Sequence, residues 1–455
     1  MKRLIFCIVT TAFMVLGIQA QTLNIKMGNI TYAFDAAQVG EMVYSANGTE
    51  LTVQGKTFSL DEVGMIYTDD TAVKENAVNV VYNGNTAKVV VSGDVADQLT
   101  TLEVDGADVT IVQSPYLVNE ITYTLSGSST NGSFNMDGDL KATVVLDGLT
   151  LTSETGAPVN IENSKRIDIV VNDGTVNSFA DFDGGMQKAC FFVNGHAEFS
   201  GSGTINITGN AKHGYRSDEY TKLKESFTGT INILKAANDG IHVCQYFDMD
   251  SGNVVVSNVD GDGIDVEVTG DSNDEANGQL FINGGTVTVT TTADDVKALK
   301  CDADMTINEG ALKLTSTGNG SKAISANASL TVNGGHVQAL SLGGIFDEGL
   351  ITEAKPNAVK ADDIITINGG EFYAVANNKA FNTDITEGGF IINGGKVMGI
   401  GAKKSPIASG SQKSTTYSKV MVNNGATISY SGVSYTVPSD YSCSSAYVLV
   451  STDSN

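Results

Sequence analysis

Three acidic clusters mark the middle of the chain: Asn238-Asp239-Gly240, Asp260-Gly261-Asp262-Gly263-Ile264-Asp265 and Asp294-Asp295. Carboxylates stacked a few ångströms apart repel unless a cation compensates them, and Ca²⁺, with six to eight oxygen ligands, suits such a set. The candidate metal ligands are therefore Asp239, Asp260, Asp262, Asp265, Asp294 and Asp295, with an expected column Asp239–Asp262–Asp295. Asp and Asn also favour turns for their own sake. Asp260-Gly261-Asp262-Gly263 lacks the twelve-residue register and closing Glu of an EF-hand loop. A second group falls two residues after a recurring small residue: Arg216, His242, Asp265, Lys300, Ser325 and Lys360. Facing solvent along one flank, its cations would meet the carboxylates of an acidic polymer, with Arg216 able to make a bidentate contact. The chain has no tryptophan, so stacking on sugar rings would fall to tyrosines such as Tyr215, Tyr220 and Tyr246.

What must position these residues is a repeat. Ile282-Asn283-Gly284-Gly285, Ile307-Asn308-Glu309-Gly310, Val332-Asn333-Gly334-Gly335, Ile367-Asn368-Gly369-Gly370 and Ile392-Asn393-Gly394-Gly395 step by 25, 25, 35 and 25 residues. A second landmark, a small residue followed by an apolar one, keeps phase with it at Gly214-Tyr215, Gly240-Ile241, Gly263-Ile264, Ala298-Leu299, Ala323-Ile324, Ala358-Val359 and Ala380-Phe381. Fixed-period self-similarity is the mark of a stacked architecture. Segments such as Thr286-Val287-Thr288-Val289-Thr290 alternate with period two and are rich in β-branched residues, the pattern of a strand. Three short strands per period, with Asn-Gly corners between them, predict an all-β parallel β-helix. About ten rungs at roughly 4.8 Å would make a rod of roughly 45–50 Å.

Within the 455 residues, residues 1–20 read as an export signal: Lys2-Arg3, an apolar stretch from Leu4 to Gly17, then Ala20 before Gln21. Residues 21–120 lack the cassette and read as a small all-β leader that caps the helix; 121–431 form the helix, and 432–455 a C-terminal cap. No later segment looks membrane-spanning, so the expected location is periplasmic, cell-surface or secreted. The net charge of −25 grows more negative once Lys2 and Arg3 are removed. Such a surface excludes nucleic acid as a partner, and it repels an acidic glycan unless a cation bridges the two. Cys190, Cys244, Cys301 and Cys443 match no zinc spacing and read as buried free thiols.

Several ordered segments resemble the bacterial carbohydrate-binding domain-containing β-helix family, which is akin to pectate-lyase-type helices. They are Thr122-Tyr123-Thr124-Leu125-Ser126-Gly127, Leu146-Asp147-Gly148-Leu149-Thr150-Leu151, Gly156-Ala157-Pro158-Val159-Asn160-Ile161, the Lys165-Arg166 pair and Asn238-Asp239-Gly240-Ile241-His242. The similarity spans about Ile121 to Val397. It implies a right-handed parallel β-helix, bound calcium, and binding of polysaccharides, acidic ones included, without an assigned hydrolytic activity.

For catalysis, the sequence offers no nucleophile elbow and no triad spacing among its four histidines. Asp is too abundant to nominate a glycosidase pair. The expectation is an exported, calcium-binding protein that holds acidic polysaccharide through Arg216, His242, Lys300 and Tyr215. The rival readings are a calcium-dependent lyase with Arg216 or Lys300 as base, and a structural rod or adhesin.

Overall fold

The computed structural model describes residues 21–116, 118–347, 349 and 353–452. The expected export signal at 1–20 lies outside them. Among the described residues the chain is all-β, with one short 3₁₀ turn at Gly93–Val95. Most strands belong to two large sheets of 27 and 12 members, and most of their pairings are parallel.

Over most of the chain the strands come in threes, each pairing with its counterpart three strands later. One ladder runs Gln279–Ile282, Met305–Ile307, Leu330–Val332, Ile365–Ile367 and Phe390–Ile392. A second runs Thr286–Thr291, Ala311–Ser316, His336–Ser341, Glu371–Lys379 and Lys396–Lys403. The third forms the 12-stranded sheet and includes His213–Ser217, Ile241–Cys244, Ile264–Glu267, Lys297–Cys301, Lys322–Ala326 and Val359–Ala361.

Register turns the sequence alternation into columns. Leu280, Met305, Leu330, Ile365 and Phe390 lie one above another, as do Ile282, Ile307, Val332, Ile367 and Ile392, and all are essentially inaccessible to water. Each such side chain contributes about 1.5–3 kcal/mol of burial, so the columns carry the fold. The corner between the first two ladders explains the cassette. Gly335 has φ +82, and a Cβ there would lie 2.6 Å from the carbonyl oxygen of Gly310, so only glycine lets successive corners stack. The Asn before each Gly pair bonds to its counterpart: Asn308, Asn333, Asn368 and Asn393 each donate Nδ2 to the preceding Asn Oδ1 at 2.7–2.9 Å. Asn283 ends this ladder on Asp248 and Asp250.

The ends differ in pairing. Thr22–Met27 pairs antiparallel with Ile30–Asp35 and Met65–Asp69. Parallel pairing begins before the expected boundary at 120, since Ala77–Asn83 joins Ile121–Ser129 and Asp108–Gln113 joins Ser133–Gly138. At the other end Cys443–Ser451 runs antiparallel to both Lys396–Lys403 and Ser414–Val422. It packs over a second apolar cluster that includes Val375, Ile400, Tyr441 and Val448.

Candidate functional site

On the 12-stranded sheet the apolar residue of each landmark is buried, and the residues on either side of the small–apolar pair form two adjacent columns. One column is the expected Arg216, His242, Asp265, Lys300, Ser325 and Lys360, now seen in register on six paired strands. It does not lie open to solvent throughout, as had been expected: His242, Asp265 and Ser325 are buried. The cause is the facing column, one residue before each small landmark, which holds His213, Asp239, Asp262, Lys297 and Lys322. Asp239 reaches across to His242, placing Oδ2 3.1 Å from its Nδ1.

The expected column Asp239–Asp262–Asp295 is therefore corrected. Lys297 follows Asp262 in register, its amide donating to Asp262 Oδ1 at 2.7 Å, and its partner on the next strand is Lys322. Asp295 lies two residues outside this column and pairs instead with Lys297 and Lys322 at 3.6 and 3.4 Å. The six proposed metal ligands fall into two sets. Asp239, Asp262 and Asp265 bring carboxylate oxygens within 4.8 Å of one another. Asp260 and Asp294 are exposed and Asp295 is partly so, and none of the three joins that cluster.

The buried cluster is dense in charge. Burial raises Asp239's carboxyl, but the imidazoles of His213 and His242 outweigh it and hold the group well below the usual carboxylate range. Burial would lower His242, yet Asp239 and Asp265 prevail and push it up to about 11. Asp262 is raised to about 6 by burial, which Lys297 only partly offsets, and by the neighbouring Asp265 and Asp239. Burial likewise opposes the charge on Lys300, but Asp265, 2.8 Å away, holds its ammonium well above the ordinary lysine value. His213 is lowered by burial. Its ring stacks on His242 at 4.4 Å. Its Nδ1 is 3.1 Å from Asp239 Oδ2 but off the line a hydrogen bond needs, so neither ring nitrogen has a hydrogen-bond partner among the described residues. An orphaned buried polar group of this kind costs about 1–3 kcal/mol.

These donors fit calcium poorly. Asp239 Oδ1 accepts the Asp262 amide, Asp262 Oδ1 the Lys297 amide, and Asp265 Oδ1 the Lys300 ammonium. A hard ion wanting six to eight oxygens would find three carboxylates, each with one oxygen already engaged, and two imidazoles beside them.

Tyr215 is also corrected as a sugar-stacking residue. It occupies the inward landmark, packs edge-on against Phe191 and Phe199, and bonds Thr221 through its hydroxyl. Tyr220 and Tyr246 are accessible but stack on each other at 4.7 Å, and Tyr220 stacks on His196 at 4.4 Å. Tyr220 is thus stacked on two rings and Tyr246 on one. Arg216 is anchored by Asp218, whose Oδ1 lies 2.6 Å from Nε, and touches Cys244. Cys190 and Cys301 are buried thiols, whereas Cys244 and Cys443 are half-buried. His213, Lys297 and Lys322 were not among the candidates, although all three sit one residue before a small landmark.

The geometry defines an all-β repeat protein with a charged double column on its 12-stranded sheet. Residues 105–344, just over half the chain, match the family model described as "Carbohydrate-binding domain-containing protein". The chain belongs to that family. A carbohydrate-binding domain-containing protein of Acetivibrio thermocellus is 26% identical over 149 residues, covering 30% of this chain and 50% of the relative. The chain thus spans about half the length of the curated relative it matches. Among solved structures, a polysaccharide lyase-like protein from C. thermocellum, as its gadolinium derivative, aligns with a TM-score of 0.43 at 20% identity, over 64% of this chain and 96% of that one. No helix among the described residues is long and apolar enough to cross a membrane.

Proposed function

We propose that this is an exported, polysaccharide-binding right-handed parallel β-helix that holds acidic, uronate-containing glycans without cleaving them. The observation that carries the reading is a lysine stripe on a protein whose net charge is −25. Lys297, Lys300, Lys322 and Lys360 occupy the two facing columns on three successive paired strands. Their side chains are 14–22% exposed, and their ammonium groups pair with Asp265, Asp295, Asp362 and Asp384, so a polymer carboxylate would join or exchange with these partners. Strands repeat at about 4.8 Å, which sets cations at short, regular intervals for a polymer bearing regularly spaced carboxylates.

Calcium enters this reading at the exposed edge, where Asp260, Asp294 and Asp295 line the corners ahead of two paired strands. There a hard cation would bridge protein and glycan carboxylates across a surface that otherwise repels acidic polymers. The buried Asp239 and Asp265 and the half-buried Asp262 are not assigned to it.

Holding rather than cleaving is favoured by the state of the two candidate bases. Lys300 is kept protonated by Asp265, and Arg216 is tied to Asp218, so neither is poised to take a proton from a uronate carbon. The test is co-sedimentation with insoluble and gelled polysaccharides, in calcium and in chelator, while following polymer length. Calcium-dependent capture of intact uronate polymer is the expected result. Shortening of the polymer would establish a lyase instead, and no capture on any glycan would leave a structural rod.

A further inference from the structure

We propose that His213, Asp239 and His242, completed by Asp265, form a buried site for a divalent transition ion of the zinc class. The inference does not depend on glycan binding, and it assigns this cluster to a metal other than calcium.

The distances come first. His213 Nδ1 and His242 Nδ1 each lie 3.1 Å from Asp239 Oδ2, and Asp265 Oδ2 lies 3.5 Å from His242 Nδ1. A tetrahedral ion with bonds of about 2.0–2.2 Å holds its ligand atoms about 3.3–3.6 Å apart. His213, Asp239 and His242 therefore already gather their donor atoms within 4.8 Å of one another, while Asp265 stands close to His242 alone and must shift inward to close the shell. Two imidazoles with two carboxylates is a nitrogen–oxygen set that a borderline ion takes readily and calcium does not.

The unpartnered imidazole is the second, independent observation. His213 is 1% exposed, and both of its ring nitrogens lack a hydrogen-bond partner among the described residues. Its Nδ1 is directed at Asp239 Oδ2 but misaligned for a hydrogen bond to it. An ion at the ring edges, where both Nδ1 atoms face Asp239 Oδ2, would satisfy that nitrogen, which no protein group among the described residues does.

The surroundings orient the donors as an outer shell should. His242 Nε2 faces Glu267 Oε2 at 3.5 Å. Asp239 Oδ1 is fixed by the Asp262 amide at 2.8 Å, and Asp265 Oδ1 by Lys300 at 2.8 Å. The ligands come from His213–Ser217, the segment Asp239–His242, and Ile264–Glu267. One ion would therefore pin three successive members of the sheet, a structural role suited to a site with no open side.

The experiment uses the full chain, stripped with chelator and titrated with Co²⁺ and with Zn²⁺, followed by visible absorption, calorimetry and melting. Expected are one ion per chain, tetrahedral Co²⁺ bands without sulfur charge-transfer absorption, and a higher melting temperature in Zn²⁺ that equal Ca²⁺ does not reproduce. His213→Gln should weaken Zn²⁺ binding by at least about tenfold, as losing a direct ligand exceeds the outer-shell effect. The wild-type Co²⁺ spectrum stands by itself if that variant does not fold. Absent Zn²⁺ binding, a stabilisation by Ca²⁺ equal to that by Zn²⁺, or undiminished affinity in His213→Gln would each overturn the proposal. So would sulfur charge-transfer absorption, which would place the ion at Cys244. Glycan capture, measured separately on the same samples, reports on the proposed function alone.

Discussion

Asn333 donates its side-chain amide to Asn308 Oδ1 at 2.7 Å and accepts the amide of Asn368 at 2.8 Å. Each amide thus serves as donor to one round and acceptor to the next, and the whole series is anchored on Asp248 and Asp250. Replacing Asn333 with Ala removes two such bonds and leaves Asn368 Nδ2 and Asn308 Oδ1 with only water. The expected loss is about 1–2 kcal/mol, read as a lower urea midpoint with an unchanged slope. Asn393→Ala, at the end of the ladder, should cost less, because its Oδ1 accepts only long, exposed bonds from Ser411 at 3.3 and 3.4 Å in place of a further Asn amide.

Gly335→Ala is expected to be worse than its size suggests. It places a methyl group 2.6 Å from the Gly310 carbonyl oxygen at a φ of +82. Strain of about 2 kcal/mol or more is expected from the two effects together. Gly388 has a similar φ of +74 but open space around it, so Gly388→Ala separates backbone strain from the clash in a thermal melt.

Lys322→Ala and Lys360→Ala should each weaken capture of a uronate polymer and flatten its salt dependence, with neutral glycans unaffected. Surface ion pairs contribute about 1 kcal/mol or less apiece, so a several-fold loss per lysine is the expected size. Affinity electrophoresis in gels containing the polymer would measure it.

The network around Lys224 predicts a pH effect. Lys224 bonds Asp168 at 2.5 Å and Glu198 at 2.7 Å. Burial raises Glu198, but Lys224 and Tyr220 outweigh it and hold its carboxyl below the usual value. A depressed carboxyl contributes stability above its unfolded pKa and loses it as pH falls through the folded one. Lys224→Met should therefore cost about 1 kcal/mol at pH 7, and the gap to wild type should close below about pH 4. A gap constant from pH 7 to pH 3 would show that the effect is packing.

Thiol labelling gives a direct check on burial. Cys244 and Cys443 should react with a maleimide in the native state, whereas Cys190 and Cys301 should react only on unfolding. Mass spectrometry of digested samples reads the four sites separately.

The strand ladders were legible because spacing alone carries them. The Asn positions recur in sequence at the offsets by which they pair in space, and β-branched alternation marks the strands between. The charged columns were only half legible. Asp239 and Asp262 sit one residue before their small landmarks, but Asp295 sits three before Ala298, and Lys297 holds the equivalent place. Matching residue type instead of offset put a carboxylate where the fold puts an ammonium. The same count would have nominated His213, one residue before Gly214. Tyr215 failed for a related reason: it holds the inward landmark, where Ile241 and Ile264 follow it in register. The burial of His242 was not readable at all, since it depends on side chains two strands apart closing over one another.

The reversal of Cys443–Ser451 against Lys396–Lys403 has a consequence for how these molecules meet. A stack of parallel strands has no intrinsic length, and its last member is a template on which another copy could grow. Here the final template of this ladder is met by an antiparallel strand of the same chain, with Ser414–Val422 laid beyond it. A second copy arriving at this ladder would meet a pair of strands already joined to each other, not the bare last round of the stack.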